Sequence, residues 1–229
     1  MSNPGATTDE QLENSSFLTE TLGDADNALR AFYKKLKVEG ELKGIIGPRD
    51  VNILWERHIL NSISVVPYIR IATSDERNRR VADVGSGGGF PGLVVAACLP
   101  DRDITLIEPM ERRCEWLNEC IQEMKLDNVH VIRSRSEDVI HEMNVHHEPL
   151  PFSVVTCRAV APMRKLVPWT LPLLKSHGSL FAIKGRSAQL ELDKATDQLR
   201  KFHGIRARVE IAPTIEGIES THIIAVEKR

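Results

Sequence analysis

The sequence predicts an α/β protein in which a mostly parallel sheet carries helices on both faces and follows an N-terminal helical extension. Two observations support this prediction. Beyond residue 80, short β-branched runs alternate with longer helical stretches, and successive strands begin about 25 residues apart, the length of one strand and one crossover helix. The 229 residues, 41% of them hydrophobic, suffice for one compact domain with a small appendage.

The N-terminal part is expected to form a tail and two helices. Residues 1–14 are polar and poor in large apolar groups, so they predict a disordered tail. In the helical extension, residues 15–75, apolar residues at three- and four-residue steps predict a helix from Phe17 to Val38, ended by the glycine at position 40. A second helix is expected from Asp50, whose carboxylate can cap it, to Pro67.

The core, residues 76–229, is predicted to hold seven strands. Five of them are the runs VADVG, DITLIE, NVHVIR, FSVVTC and SLFAIK, with helices between them that include Pro109–Leu126 and Ala188–Phe202. The last two runs, RARVEIA and THIIAVEK, are separated only by Pro213–Ser220, which is too short for a crossover helix and predicts an antiparallel hairpin at the sheet edge. Five parallel strands and such a hairpin are the arrangement of a class I methyltransferase core.

Composition excludes several classes of protein. Thirty basic and 32 acidic residues give a net charge of -2, so this is not a protein that coats nucleic acid by bulk charge. No apolar run approaches the roughly 20 residues of a membrane span, and the start lacks a secretory signal, so a soluble cytoplasmic protein with no membrane association is expected. Four cysteines without a CxxC pair predict reduced packing residues and no metal site.

The strongest local signal is the glycine-rich loop in VADVGSGGGFPG. The strand is expected to end where Gly85, Gly87 and Gly89 adopt positive φ and let backbone amides approach a nucleotide closely. Because Gly87, Gly89 and Gly92 also satisfy GxGxxG, the loop alone fits a dinucleotide about as well as S-adenosylmethionine.

Two acidic residues bear on the choice between these ligands: the first favours S-adenosylmethionine, and the second suits both. Asp83, at the end of the strand, can attract a cationic amino group or sulfonium but would repel a pyrophosphate. Glu108 ends the second strand about 20 residues beyond the loop, where a carboxylate accepts both hydroxyls of an adenosine ribose. The predicted core shows no obvious catalytic histidine or Tyr-x-x-x-Lys arrangement for hydride transfer. Methyl transfer is therefore favoured, and a nicotinamide-dependent oxidoreductase stays the alternative.

Residues after the third and fourth strands are expected to complete the pocket. Ser136, Glu137 and Arg158 follow strands whose carboxyl ends share one edge of the sheet, where open α/β sheets bind ligands. The alternative for Glu137 is a carboxylate that only interacts favourably with the dipole at a helix N-terminus. The alternative for Arg158 is a surface ion pair.

The residues after the fourth strand also restrict the reaction. They read Cys157-Arg-Ala-Val, whereas enzymes that methylate exocyclic adenine or cytosine amines usually have an Asn/Asp-Pro-Pro-aromatic loop here. Cys157 lacks the Pro-Cys context of a pyrimidine nucleophile and is expected to be a packing residue. An electron-rich acceptor such as guanine N7 needs only alignment, desolvation and electrostatic stabilisation. The lack of a distinctive catalytic base in the sequence is consistent with such an acceptor.

Basic residues form several clusters that predict a phosphate-binding surface, with a solvated face as the alternative for each. The clusters are Arg77, Arg79 and Arg80; Arg112 and Arg113; Arg133 and Arg135; Lys184 and Arg186; and Arg200, Lys201, Arg206 and Arg208. Lys184 and Arg186 follow the fifth strand at the pocket side. Arg57 and His58 lie on the second helix, where a lone histidine also serves as a structural hydrogen-bonding group.

Several motifs together resemble one known family. VADVGSGGGFPG, LIEPMERRCEWL, RSRSED, VVTCRAVAP and AIKGR occur in this order, with WERHILNS upstream. They resemble the bacterial ribosomal RNA small subunit methyltransferase G family, formerly called glucose-inhibited division protein B, over about residues 30–229. The resemblance implies a seven-stranded Rossmann-like core behind a helical extension, and S-adenosyl-L-methionine as cofactor. It implies methylation of N7 of a guanine in the decoding region of 16S rRNA, and loss of family members is associated with low-level streptomycin resistance.

The resemblance also implies roles for individual residues. The family's cofactor contacts fall on Gly85, Phe90, Ser136, Glu137 and Arg158, with Gly87 and Gly89 in the same loop and Glu108 as the ribose acid. Arg57, His58, Lys184 and Arg186 match positions on the RNA side, and Arg158 and Lys184 are candidates for a catalytic role. The expected partner is 16S rRNA or a small-subunit precursor, and the expected state is a monomer. A non-catalytic RNA-binding module is a further alternative.

Two positions depart from the family pattern. Leu42-Lys43-Gly44 replaces the usual Asn-Leu-Thr, and Asn61 stands where an acid is usual. Both departures concern the guanine pocket and leave the cofactor site unchanged.

Overall fold

The computed structural model describes residues 9–74, 77–212 and 220–229, and a single seven-stranded sheet forms its centre. The strands are β1 (Arg80–Val84), β2 (Asp103–Ile107), β3 (Val129–Ile132), β4 (Phe152–Arg158), β5 (Leu174–Lys184), β6 (Gly204–Ala212) and β7 (Thr221–Lys228). Their order is β3-β2-β1-β4-β5-β7-β6. The first five are parallel, and β7 is antiparallel to both β5 and β6. The predicted seven-stranded α/β class and the hairpin are confirmed.

Helices cover both faces of the sheet. The α-helices are α1 (Asp9–Glu13), α2 (Ser16–Leu22), α3 (Asp26–Lys35), α4 (Asn61–Ile63), α5 (Val66–Ala72), α6 (Gly92–Cys98), α7 (Glu111–Met124), α8 (Ser136–His146), α9 (Met163–Thr170), α10 (Ala188–Asp193) and α11 (Thr196–Lys201). The N-terminal helices share one core with α6 and α7, and α8 to α11 build the core of the other face. No helix within the described ranges is long and apolar enough to cross a membrane.

The central strand shows why this sequence forms a parallel sheet. Val81, Ala82, Asp83 and Val84 of β1 are all buried, so the strand has no solvent-facing side and lacks the alternation of an exposed strand. Strand order turns between β1 and β4, which opens a crevice at their carboxyl ends. That crevice positions the loops described below.

The helical extension departs from the predicted boundaries. The helix expected from Phe17 is divided at Gly23, whose φ is +50°, and continues as a π-helical segment to Gly40. The second helical region begins later than expected, with a π-helical segment at Trp55–Leu60. Pro67 does not end it. The proline lies in the first turn of α5, where a missing N–H is tolerated.

The tail predicted for residues 1–14 is wrong for its last part, because residues 9 to 13 form α1. Asp9 is 3% exposed, and its carboxylate accepts the backbone N–H groups of Leu54 at 2.9 Å and Trp55 at 3.0 Å. The start of the second helical region is therefore capped by Asp9 and not by Asp50, since hydrogen bonds to Asp9 satisfy amides that the helix leaves unpaired. Residues 1–8 lie outside the described residues, as does most of the predicted β6–β7 connection.

Candidate functional site

The glycine-rich loop between β1 and α6 has the predicted backbone conformation. Gly85, Gly87 and Gly89 have φ values of +71°, +53° and +102°, which other residues rarely adopt. At Gly85 an added Cβ would lie 2.7 Å from the side chain of Val160. Only glycine lets this loop approach the segment after β4 so closely.

A first cavity of about 330 Å³ opens beside this loop at the carboxyl ends of β1, β2 and β3. Its walls include Gly85, Glu108, Ser136, Glu137 and Trp169. The volume lies within the range of roughly 300–1,000 Å³ that small-molecule sites occupy. Four of the residues predicted to bind the cofactor therefore line one cavity.

Glu108 is a buried acid of the first cavity that two backbone amides hold in place. It is 2% exposed, and its Oε2 accepts the N–H of Gly87 at 2.9 Å while its Oε1 accepts the N–H of Met110 at 2.9 Å. An ionised carboxylate has about four acceptor positions, so both oxygens keep capacity toward the cavity. This arrangement fits two neighbouring hydroxyls of a ribose.

Ser136 and Glu137 begin α8 on the opposite wall. The hydroxyl of buried Ser136 donates to the carbonyl of Trp169 and so ties α8 to α9. Glu137 is exposed and lies in the first turn of the helix, where the dipole favours a carboxylate. The position of Glu137 fits both a contact with the cofactor and the alternative of a carboxylate that only interacts with the helix dipole.

A second cavity of about 600 Å³ lies on the other side of Ala159 and Val160, which line both cavities. Arg57, His58 and Lys184 contribute to it, so the extension and the end of β5 meet there. Arg186 is exposed and does not line either of these two cavities.

The charges of two basic residues in the second cavity are matched by acids. Lys184 is 9% exposed, donates to the carbonyl of Ala161 at 2.6 Å and pairs with Glu191 at 2.9 Å, so it braces the segment that follows β4. Arg57 is 62% exposed and pairs with Asp50 at 3.2 Å. Both cations lie at the cavity, and each is paired with an acid there.

Arg158 is held differently, by neutral groups of the extension. Its Nη1 donates to the carbonyl of Arg57 and to Oδ1 of Asn61, both at 3.0 Å, and its Nη2 is 2.6 Å from Nδ1 of His58. The guanidinium carbon lies 4.8 Å from the ring centroid of Phe90. Burial lowers the pKa of Arg158 to about 10, so the group stays charged at neutral pH. No carboxylate among the described residues forms an ion pair with it, and the predicted surface ion pair is not present.

Phe90 and Gly89, both predicted to contact the cofactor, face the extension in this structure. Phe90 is 6% exposed, and its ring packs 5.2 Å from that of Phe32 and 5.0 Å from that of His58. An added Cβ at Gly89 would lie 3.2 Å from Phe32 and closer still to Leu93. The loop therefore faces the first cavity at Gly85 and the extension at these two residues, while Gly87 lines neither cavity and contacts Glu108.

Sequence reasoning missed the part that Trp116 plays. Its indole N–H donates to the carbonyl of Gly88 at 3.1 Å, and the ammonium groups of Lys35 and Lys43 lie 5.1 and 5.4 Å from its ring. Lys43 belongs to the segment that departs from the family pattern. Trp116 was visible only as an apolar position on a helix, and nothing in its spacing indicated that it holds the loop.

Asp83 does not lie where the sequence placed it. The residue is fully buried beneath the loop, where Oδ2 accepts the N–H of Gly92 at 3.0 Å, and it lines neither cavity. Burial raises the pKa of Asp83 to about 7. The expectation that its carboxylate attracts the cofactor's cationic groups by direct contact is wrong, because the loop and α6 cover it.

Cys157 has the packing role that was predicted, and part of the basic clusters is paired with acids. Cys157 is 1% exposed, and burial raises the pKa of its thiol to about 12, so it is a packing residue as predicted. Several arginines of the clusters pair with acids: Arg79 with Asp101, Arg80 with Asp103, Arg133 with Glu111, Arg206 with Glu227 and Arg208 with Glu210. In the described part of the chain, no group of three or more His, Cys, Asp or Glu residues could hold a metal ion.

Comparison with known proteins decides between the methyltransferase and the nicotinamide enzyme. The model of the family GidB, rRNA small subunit methyltransferase G, matches residues 25–215. The chain belongs to this family. A relative from Bifidobacterium longum (strain DJO10A), named ribosomal RNA small subunit methyltransferase G, is 60% identical over 220 residues, which cover 96% of this chain and 99% of that protein. A relative of the same name from Bifidobacterium adolescentis is 52% identical, covering 96% of each chain.

Solved structures show the same fold. An S-adenosylmethionine-dependent O-methyltransferase from Thermotoga maritima has a TM-score of 0.52 at 14% identity, covering 71% of this chain and 64% of that one. The M. jannaschii TYW2 structure in complex with AdoMet has a TM-score of 0.51 at 19% identity, covering 73% of this chain and 74% of that one. The class I fold is confirmed. The family and the fold together make the protein a methyltransferase that uses S-adenosylmethionine.

Proposed function

We propose that this enzyme transfers the methyl group of S-adenosylmethionine to N7 of a guanine in the decoding region of 16S rRNA. The observation that carries the proposal is the pair of cavities on either side of Ala159 and Val160. One cavity offers a carboxylate with free acceptor capacity, and the other collects cations and opens between the core and the extension. Cofactor and target base each have a cavity of their own, separated by one short segment.

The residues of the first cavity fit the adenosine portion of the cofactor. Glu108, held by the N–H of Gly87, would accept its ribose hydroxyls, Gly85 lets it approach the loop, and Ser136 and Glu137 form the opposite wall. When bound, S-adenosylmethionine supplies a sulfonium-linked methyl group as the electrophile. Arg158 lies outside this cavity, at the second one, next to the shared segment of Ala159 and Val160. Its charge has no acid partner in the described structure, and we assign it to the carboxylate of the methionine portion.

The second cavity would receive the target guanosine. N7 of guanine is already nucleophilic, so the residues here need only align the base, exclude water and balance charge. Arg57 and Lys184 are placed to meet phosphates, by exchanging Asp50 and Glu191 for RNA oxygens. We propose that the enzyme acts as a monomer in the cytoplasm, on 16S rRNA or a small-subunit precursor.

The test is mass mapping of 16S rRNA after incubation with labelled cofactor. RNA from cells that lack the enzyme, both naked and within purified small subunits, is treated with wild-type protein, and a single N7-methylguanine in the decoding region is expected. Methylation at another base or position would contradict the proposed target. RNA binding without methyl incorporation would favour a non-catalytic RNA-binding module.

A further inference from the structure

We propose that His58 is the positioning residue of Arg158: its neutral imidazole, fixed by Asp50, presents Nδ1 as the acceptor that holds the guanidinium against Phe90 at the second cavity. The contact spans the extension and the core, since His58 and Arg158 are 100 residues apart in the chain. The inference rests on the proposed function in one respect, that Arg158 holds the cofactor.

The hydrogen bonds around His58 leave only one neutral tautomer. Arginine only donates, so the 2.6 Å contact between its Nη2 and Nδ1 of His58 requires Nδ1 to be unprotonated. The ring proton then lies on Nε2, which is 3.2 Å from Oδ2 of Asp50, an acceptor. Asp50 thus fixes the tautomer, as carboxylates commonly do for functional histidines.

Packing fixes the orientation of the imidazole as well. The His58 side chain is 12% exposed, and its ring lies parallel to that of Phe90 at 5.0 Å with an interplanar angle of 26°. The guanidinium of Arg158 lies against the same aromatic ring at 4.8 Å. A 180° flip of the ring would keep this stacking but would put carbon atoms where Nδ1 and Nε2 lie, so it would lose the contacts with both Arg158 and Asp50.

The charged groups around His58 make it a constant acceptor at physiological pH. Asp50 faces it from the segment before the π-helical turn, Arg158 from the end of β4, and Arg57 from its own turn. Burial, then the nearby Arg158 cation, lower the pKa of His58 to about 4, although Asp50 opposes them. A protonated ring would direct an N–H at the guanidinium, so the neutral form is the one that holds Arg158.

Two substitutions of His58 test the roles of its two ring nitrogens separately. An asparagine side chain ends at the position of Nδ1, whereas a glutamine side chain reaches the position of Nε2. His58→Asn can keep an acceptor for Arg158, and His58→Gln keeps only a group that faces Asp50, while both lose the stacking on Phe90. Calorimetric titration with S-adenosylhomocysteine is expected to show about tenfold weaker binding for His58→Gln and binding within about threefold of wild type for His58→Asn. Equal losses in the two variants would overturn the proposal.

A double-mutant cycle tests whether His58 acts through Arg158. In an Arg158→Ala background, replacing His58 by Gln is expected to change affinity less than twofold, because the positioned group is gone. Additive losses would mean that His58 has a merely structural role.

The wild-type protein gives an independent measurement if His58→Gln fails to fold. Nitrogen-15 NMR of histidine-labelled protein is expected to show His58 as the neutral Nε2–H tautomer at pH 7. The opposite tautomer, or a protonated ring, would refute the proposal.

A Glu108→Gln variant distinguishes failure of this inference from failure of the proposed cofactor site. If wild type binds S-adenosylhomocysteine through Glu108 and the two His58 variants do not differ, the inference alone fails. If wild type does not bind it at all, the proposed cofactor site fails.

Discussion

The two cavities are built in different ways, although they share a wall. The first is lined by residues of the core alone, from the loop after β1 to the end of α9. The second takes Asp50, Arg57, His58 and Asn61 from the extension and the remainder from the ends of β4 and β5 and from Glu191 of α10. The wall that holds Glu108 is therefore built by the core alone, whereas the second cavity and the placement of Arg158 depend on the docked extension. The predictions below probe that division.

The largest effect is expected from the contact that docks the extension on the loop. Phe32 is fully buried and packs on Gly89 and Phe90, so Phe32→Ala leaves a cavity at this junction. We expect the free energy of unfolding to fall by about 3–5 kcal/mol in urea titrations. Phe17→Ala, at a side chain that is 42% exposed, is the control and should cost less than about 1 kcal/mol. Similar losses in both would mean that the extension is not part of the cooperative fold.

A second large effect concerns the buried acid beneath the loop. Because the pKa of Asp83 is raised to about 7, the folded protein binds this proton more tightly than the unfolded chain does. The contribution of Asp83 to stability is therefore lost as pH rises from about 4 to 7. Relative to wild type, Asp83→Asn should become more stable by about 2–3 kcal/mol between pH 5 and pH 8 in denaturant titrations. A pH-independent difference would show that Asp83 ionises normally.

A more moderate effect is expected at Glu108, the carboxylate proposed to bind the ribose. Glu108→Ala removes the acceptor for the cofactor and leaves the amides of Gly87 and Met110 without it, so S-adenosylmethionine binding should weaken by about 1–3 kcal/mol. The exposed Glu111→Ala, in the next turn of the chain, is the matched control. Unchanged calorimetric affinity in Glu108→Ala would remove Glu108 from the site.

The smallest effect is expected on the RNA side, where the interactions are screened by salt. Reversing the charge of Lys184 and Arg186 together should weaken RNA binding and reduce the slope of log affinity against log salt by about 1 per lost phosphate contact. Lys125→Glu, at an exposed residue that follows α7 and precedes β3 and so lies at the opposite edge of the sheet, is the control. If turnover and salt slope matched those of the control, the RNA would approach elsewhere.

The first cavity could be predicted from the sequence because each of its parts follows a strand within a few residues. Gly85 and Glu108 lie at strand ends, and strand ends of a parallel sheet meet at one edge whatever the helices do. The pattern could not show that Asp83 would be covered by α6, since that depends on how closely Gly92 lets the helix approach.

The second cavity was only partly predictable. Arg57, His58 and Arg158 were identified from motifs, but their mutual contacts depend on how the extension packs, which no local spacing records. Asp50 was interpreted as a helix cap, and its partnership with His58 appears only in three dimensions. Asn61 illustrates the same limit: its amide accepts from Arg158 and donates to Thr221, 160 residues away.

The order of the sheet also has a consequence for the growing chain. β7 lies between β5 and β6, yet the ribosome makes it after both. Until β7 emerges, β5 presents an unpaired edge to which β6, already synthesised, could add as the wrong neighbour. Correct assembly of the sheet therefore waits for β7, the strand that is translated after the other six.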